Sequence, residues 1–398
     1  MSISDKPSLD NTPPTSTSDE EKSHNVSEEA KATTATPPPD GGRKAWLTVL
    51  GAFCAAFASV GWASSIGIFQ AQFGPRVPLF IGSFMHLFGL IMLSLSHKYY
   101  QILLSQSVCS GIGLSLIMMP AIASPQTYFA KKRAVAMGLV ISGSSIGGIV
   151  WPLMARSLLP QIGFGWTIRC CALLALVLLA IANLIVTSNL VHKKKDIKLE
   201  VFLKPVKERN FQLLCIGTFF VYWGMYVPIN YIATSAIEYG LSSSMAFSLV
   251  PILNAASFFG RIVPNVIADK AGRFNVYIMM NLLSVAVCFG LWLPARVATT
   301  IAFAVLFGFS SGAGMGLGSV VVASISPMEE IGFRMGIILA IAALASLTGL
   351  PAAGAIVSAD GGRYFWVCVF AALSWLAAAT FLTSVRVRLA GWKLTVRV

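Results

Sequence analysis

The passage VHKKKDIKLEVFLKPVKERN, residues 191–210, is the one long hydrophilic interruption in an apolar body, and it holds Lys193, Lys194, Lys195, Lys198, Lys204, Lys207 and Arg209. A bilayer's hydrocarbon core, about 30 Å thick, is crossed by about 20 apolar helical residues. Charged or Pro/Gly breaks mark off five such runs before the passage, at 46–70, 77–96, 99–124, 134–157 and 166–190. Six follow it, at 211–237, 245–268, 275–294, 297–325, 335–357 and 364–385. The pattern predicts an all-α polytopic membrane protein of about 11 spans, arranged five and six. A membrane bundle at 41–190 is joined by a basic cytoplasmic linker, 191–210, to a second bundle at 211–390. Residues 1–40 and 391–398 are expected to be cytoplasmic tails.

Composition agrees. Apolar residues make up 56% of the chain and charged ones 11%, against roughly 25% charged in a soluble domain, which excludes a water-soluble globular fold. The formal charge of +13 is uneven: residues 1–40 hold eight acids against three lysines, net −5, which leaves +18 on the remainder. That Ser/Thr/Pro/Glu-rich tail has too little apolar surface to offset its chain entropy, so it is expected to be disordered and not a cleavable signal. The seven cysteines lie in apolar runs with no CxxC spacing, and the four histidines are scattered. Neither a metal site nor a disulfide framework is expected.

Cytoplasmic loops collect Lys and Arg. Lys131, Lys132 and Arg133, the linker cluster, Lys270 with Arg273, Arg334, and Arg386, Arg388, Lys393 and Arg397 all fall on one side of the proposed spans. The opposite connections carry only single charges such as Arg156, Glu238, Arg296, and Asp360 with Arg363. Basic runs this short, pinned to membrane ends, speak for topology and against a nucleic-acid partner. An internal repeat strengthens the two-bundle reading: Gly113 to Pro152 resembles Gly316 to Pro351, with Ser124-Pro125 answering Ser326-Pro327 and Arg133 answering Arg334. Repeats of like direction across the bilayer are a mark of carriers that bind between two halves.

At this point the residues resemble the major facilitator superfamily, and within it the monocarboxylate-transporter-like branch of filamentous fungi. Pro39-Asp40-Gly41-Gly42 before Ala45-Trp46 is similar to that branch's start of helix 1. Ser142-Gly143-Ser144-Ser145-Ile146-Gly147-Gly148 with Trp151-Pro152 is similar to its fifth helix, and Tyr226-Val227-Pro228 with Asn230-Tyr231 to its seventh. The superfamily's loop Gly-x-x-x-Asp-x-x-Gly-Arg has its second copy at Asn265-x-x-x-Asp269-Lys270-x-Gly272-Arg273, with Asn in place of the first Gly. Asp269, Gly272 and Arg273 are therefore gating-loop candidates, a carboxylate and guanidinium able to form a latch that breaks when the bundles rock.

The first copy survives only as Gly74-Pro75-Arg76, directly after Phe69-Gln70-Ala71-Gln72-Phe73. The resemblance implies that helix 2 is missing, and parity counted back from the basic C-terminal tail points the same way. The few residues between the first two runs, at about 3.6 Å each at most, cannot cross the bilayer as exposed extended chain. Three origins stay open: a mispredicted or alternatively spliced transcript, a true eleven-span protein with its N-terminus outside, or a first run that never inserts. Asn25-Val26-Ser27 is the only Asn-x-Ser/Thr sequon, and Asn25 becomes a glycosylation candidate only if the tail is external.

An ionisable residue within a span is a functional candidate by default, and Arg261 is the leading one; the resemblance aligns it with the branch's substrate-anion arginine. The branch's acidic partner one turn earlier is replaced by Ser257 and its helix-1 lysine by Ser64, which removes the titratable groups of a proton-coupled anion carrier. Tyr222, Tyr226, Asn230, Tyr231 and Asn254 are candidate cavity-lining residues for an organic solute. Gly312-x-Gly314-x-Gly316-x-Gly318 does not fit a nucleotide loop and reads as close helix packing. His86, inside an apolar run, reads as a hydrogen-bonded structural histidine. With no clustered His, Cys or acidic site the chain is not expected to be an enzyme, and no cofactor, metal or nucleotide is expected. The partners implied are the lipid bilayer and a small organic solute, a carboxylate or a secondary metabolite. The function expected is secondary active transport by alternating access, with slight preference for efflux from the plasma membrane. The alternative is a non-transporting product of a truncated or alternatively spliced carrier.

Overall fold

The computed structural model describes residues 75–126, 128–129, 132–187, 205–327 and 330–391. The 46–70 run, the 1–40 tail with Asn25, the Pro39–Trp46 motif, Ser64, Gly74, linker residues 191–204 and tail residues 392–398 lie outside the described residues. Nine helices long and apolar enough to cross a membrane stand in the described part, with no strand among them. They are α1 (Arg76–Ser94), α2 (Tyr99–Pro125), α3 (Arg133–Ile185), α4 (Arg209–Glu238), α5 (Ser243–Ala271), α6 (Arg273–Trp292), α7 (Val297–Ser324), α8 (Ile331–Ala359) and α9 (Phe365–Ala390).

Helix α3 holds two of the expected spans. Its 53 residues at 1.5 Å each would reach about 80 Å, more than twice a bilayer core. The break falls at Gly163, whose φ of 72° and ψ of 174° lie outside the helical region, a conformation that a residue without Cβ adopts readily. The expected turn at 158–165 is thus a one-residue break, and helix continues through Pro160 on one side and resumes at Phe164 on the other. The second limb packs antiparallel to α1: Asn183 Nδ2 donates to Ser83 Oγ at 2.8 Å and Arg169 Nε to Ser94 Oγ at 3.3 Å.

Small residues set the close crossings. A Cβ on Gly82 would lie 2.7 Å from the Gly113 carbonyl oxygen, and one on Gly89 2.9 Å from Ser110 Cβ, so α1 and α2 meet backbone to backbone. A π-helical stretch, Leu103–Ser110, widens α2 there, and Ser110 Oγ reaches His86 Nδ1 at 2.7 Å. His86 is therefore hydrogen-bonded within the helix pair, as expected. In the second half, Gly308 and Gly312 on α7 abut Leu253 and Ser257 on α5, which is the packing role read for the glycine row. The rings of Trp292, Phe303, Phe307 and Trp375 follow one another at 5.0–6.1 Å between α6, α7 and α9. The outer faces are apolar instead of polar: Leu184 is 78% exposed, Phe80 67% and Phe247 60%. Water would penalise such a belt, and lipid does not.

Candidate functional site

Taking α1–α3 as one half and α4–α9 as the other, a cavity of about 620 Å³ lies between them. Met118 on α2 and Ile141 and Ser144 on the first limb of α3 face it from one half. Thr218, Tyr222 and Tyr226 on α4, Tyr277 on α6, Met315 on α7 and a row on α8 from Met335 to Leu347 face it from the other. Tyr222 and Tyr226, one helical turn apart, stack at 5.9 Å. The lining is mostly aliphatic, thioether and aromatic, with polarity supplied by phenols and the hydroxyls of Ser144, Thr218, Ser319 and Ser346.

Arg261 lies behind one wall of this space, against three residues that line it. It is 4% exposed, and its guanidinium reaches across from α5 to α3: Nη1 donates to the Ile141 carbonyl at 2.6 Å and to Ser144 Oγ, while Nη2 lies 3.0 Å from Met315 Sδ. All three partners line the cavity. Nε is buried without a hydrogen-bond partner, and no carboxylate among the described residues pairs with the charge. A buried cation without a counter-ion is costly unless something anionic visits it.

Of the residues singled out in the sequence, the structure thus brings together Tyr222, Tyr226 and Arg261. Asn254 lies two turns from Arg261 on α5 and packs against Gly148 in the seam between the halves, with its amide donating to Val250 O at 3.0 Å. Asn230 is exposed and bonds back to Tyr226 O at 2.8 Å. Tyr231 points to the other side of α4, toward Leu350 O at 3.4 Å and the Tyr364 ring. The cavity residues not singled out include Met118, Ile141, Ser144, Thr218, Tyr277, Met315, Ser319 and the α8 row. Ser144 stood within a quoted motif, yet its pairing spans 117 positions and no local pattern reports it.

The seam between the halves is the first limb of α3 against α5. Gly138 lies against Arg261 and Asn265, Gly148 against Asn254, and Arg156 Nη2 donates to Ser244 Oγ at 3.1 Å. At the basic end, Asp269 offers its two carboxylate oxygens to the backbone N–H groups of Ala134 and Val135, at 3.3 and 3.2 Å. These are unsatisfied donors in the first turn of α3, so a carboxylate from one half caps a helix of the other. Arg273 stands 3.6 Å from Asp269 and donates to Ser324 Oγ at 3.3 Å. Gly272, with φ of 96°, lets the chain turn sharply from α5 into α6. Asn265, where the superfamily loop has glycine, is fully buried between Gly138 and Gly316. An amide fits there because each facing helix has a glycine opposite it.

Helices before and after the 191–210 passage enclose a solute-sized cavity, with a polar seam and a capping contact across it, an arrangement that suits a membrane carrier. A profile of the Major Facilitator Superfamily matches residues 40–296 and again 214–395. The chain belongs to that superfamily and is a membrane transporter. It is 49% identical to MFS-type transporter opdF of Penicillium oxalicum, over 90% of this chain and 94% of that protein. It is 35% identical to the Fujikurins efflux protein of Gibberella fujikuroi, over 87% and 83% of the two chains. The Agnestins efflux protein AgnL12 of Paecilomyces divaricatus is 32% identical, over 87% and 88%. Among solved structures, the Major Facilitator Superfamily transporter FucP superposes with a TM-score of 0.71 at 13% identity, covering 87% of this chain and 91% of FucP. That likeness speaks for the fold alone.

Proposed function

We propose that this chain exports an amphipathic organic acid, of the secondary-metabolite kind, across the plasma membrane by rocking of the two halves about the cavity. The observation that carries the reading is the lone guanidinium of Arg261 beside a cavity of about 620 Å³ lined by tyrosine, methionine and aliphatic side chains. That size lies within the roughly 300–1,000 Å³ of small-molecule sites. The lining suits an aromatic or alkyl body, and a guanidinium binds a carboxylate bidentately. Efflux is favoured by the names of the relatives from Gibberella fujikuroi and Paecilomyces divaricatus. It is also favoured by Ser257, a buried hydroxyl against Gly312 where a proton-coupled carrier of the branch has an acid.

The geometry supplies a mechanism. The bonds from Arg261 to Ile141 O and Ser144 hold the two halves together. A solute carboxylate competes for the same N–H groups, and its capture of the guanidinium loosens the seam. In the export cycle the solute enters through the basic end while Asp269 is off the start of α3; once it has left on the opposite side, the guanidinium returns to Ile141 O and Ser144 and Asp269 caps α3 again. The test is retention in yeast cells expressing the chain, with carboxylated aromatic solutes set against their methyl esters. Faster loss of the acids than of the esters supports the reading; equal loss contradicts the role of charge.

The chain is further read as a member of the monocarboxylate-transporter-like branch that lacks the second span. In support, the alignment with opdF runs over 398 positions but takes in 90% of this chain, so roughly 40 of them have no counterpart here, room for one span of about 20 residues with its flanks. Sequencing the transcript across the codons for Phe69 to Pro78 tests this. An extra in-frame segment would make the chain an incomplete record of a twelve-span carrier. A confirmed junction would favour the second reading, a non-transporting product, and put the flux measurement first.

A further inference from the structure

At the basic end of the second half, the first turn of α4, the last turn of α7 and the last turn of α9 enclose a cleft of about 400 Å³, separate from the central cavity. Its charged and polar lining is Glu208, Arg209, Asn210, Ser324 and Arg388, with Leu389 beside them. The one acid is already engaged: Glu208 Oε1 and Oε2 accept from Arg334 Nη2 and Nη1, each at 2.7 Å. Arg388 is held by a single bond, Nε to Asn210 Oδ1 at 2.9 Å, which leaves both of its terminal nitrogens without a partner among the described residues. Arg209 makes no hydrogen bond or ion pair within the described residues. Ser324 Oγ is taken by Val320 O and Arg273, whereas the Asn210 amide N–H₂ donates to no group among the described residues.

The Arg209 guanidinium, the two terminal nitrogens of Arg388 and the Asn210 amide N–H₂, none with a partner among the described residues, thus surround one small space whose carboxylate is neutralised. The cleft lies at helix ends, where the membrane's polar zone begins, and its rim is apolar: Leu389 is 38% exposed and the nearby Val206 46%. Charge above and exposed aliphatic surface below match a molecule with a phosphate head and acyl chains. We infer that this cleft binds the phosphate of an anionic glycerophospholipid from the leaflet bordering these helix ends, gripped by Arg209 and Arg388. Phosphate is favoured over a carboxylate because two guanidinium groups approaching from different helices require an anion with oxygens in several directions. The site is independent of the solute site and of the direction of transport.

The test uses the purified full-length chain and reads its thermal unfolding midpoint on adding phosphatidylinositol, phosphatidylcholine of the same acyl chains, or inorganic phosphate. Phosphatidylinositol is expected to stabilise the wild type at concentrations where phosphatidylcholine does not. At about 1 kcal/mol per basic residue near a lipid surface, Arg209→Gln or Arg388→Gln should each weaken the half-maximal concentration about fivefold, and the pair roughly 25-fold. Arg296→Gln, at the opposite membrane end, should leave it unchanged. Both cleft variants are expected to melt like the wild type in phosphatidylcholine alone, which separates loss of binding from loss of folding. Equal stabilisation of wild type and double variant, or equal stabilisation by phosphatidylcholine, overturns the inference. An equal shift with inorganic phosphate at the same concentration overturns the lipid as the occupant and makes this a soluble-anion site.

Discussion

Replacing Asp269 by Asn should loosen the start of α3 by a calculable amount. The carboxylate accepts two backbone N–H bonds, at 3.3 and 3.2 Å, long for such bonds, so each is worth the lower part of its range. Asparagine keeps one acceptor oxygen and loses the other, at about 0.5 kcal/mol. It also removes a negative charge from a helix N-terminus, worth about 1 kcal/mol in a partly buried setting. The ion pair with Arg273, at 3.6 Å and with Arg273 21% exposed, adds little. The sum, about 1.5 kcal/mol, lowers the population of the joined state relative to the parted one roughly tenfold. Backbone hydrogen exchange, read by mass spectrometry on the intact chain, reports it: the peptide spanning Arg133 to Met137 should exchange about ten times faster in Asp269→Asn. In Arg273→Gln, which leaves both N–H bonds in place, it should change less than about fivefold. Unchanged exchange in Asp269→Asn, or an equal effect from both variants, would refute the capping account.

A Cβ on Gly260 would lie 2.7 Å from the Phe309 carbonyl carbon, so Gly260→Ala should destabilise by about 1–3 kcal/mol. Gly290→Ala, which meets open space, is expected to be neutral; thermal unfolding in one detergent compares them. Glu208→Gln removes one of two carboxylates from Arg334, which is 2% exposed. Glu330 still pairs with it at 2.8 Å and Glu208 is 39% exposed, so the cost should be only about 1 kcal/mol, read as a small fall in melting temperature. Ser144→Ala deletes one of the groups that compete with solute for Arg261. It should tighten half-saturation by an anionic solute about fivefold, from about 1 kcal/mol; a weaker half-saturation would mean that Ser144 binds the solute itself.

The spans were legible because a bilayer imposes a length, and length survives in sequence as runs between charges. The expected 211–237 and 297–325 became Arg209–Glu238 and Val297–Ser324. The join within α3 was less so, since Gly163 alone breaks the helix while Pro160 sits inside it. In the site, Arg261 was visible because a charge inside an apolar run has no ordinary reason to be there. Helix geometry explains the residues that fell elsewhere. Each four-residue step turns about 40° from the starting face, so Tyr226 stays beside Tyr222, while Asn230, two steps on and past Pro228, has rotated to an exposed face. Tyr231 is about half a turn from Tyr222 and meets α8 and Tyr364. Asn254 does share the face of Arg261, but Gly148 opposite it admits close approach and turns a lining position into a packing one. Tyr277 and Met315 enter the cavity from α6 and α7, a convergence that depends on how helices pack and not on any one helix's pattern.

The most direct test of the account is counterflow in proteoliposomes holding the purified full-length chain, across a panel of aromatic and alkyl carboxylates, with wild type and Arg261→Gln side by side. Saturable exchange of at least one acid by wild type is predicted. Its loss in Arg261→Gln, with the same thermal midpoint as wild type, would place the guanidinium in solute recognition. Equal exchange by both proteins would contradict the role of Arg261, and no exchange by folded wild type over the whole panel would contradict transport of organic acids by this chain.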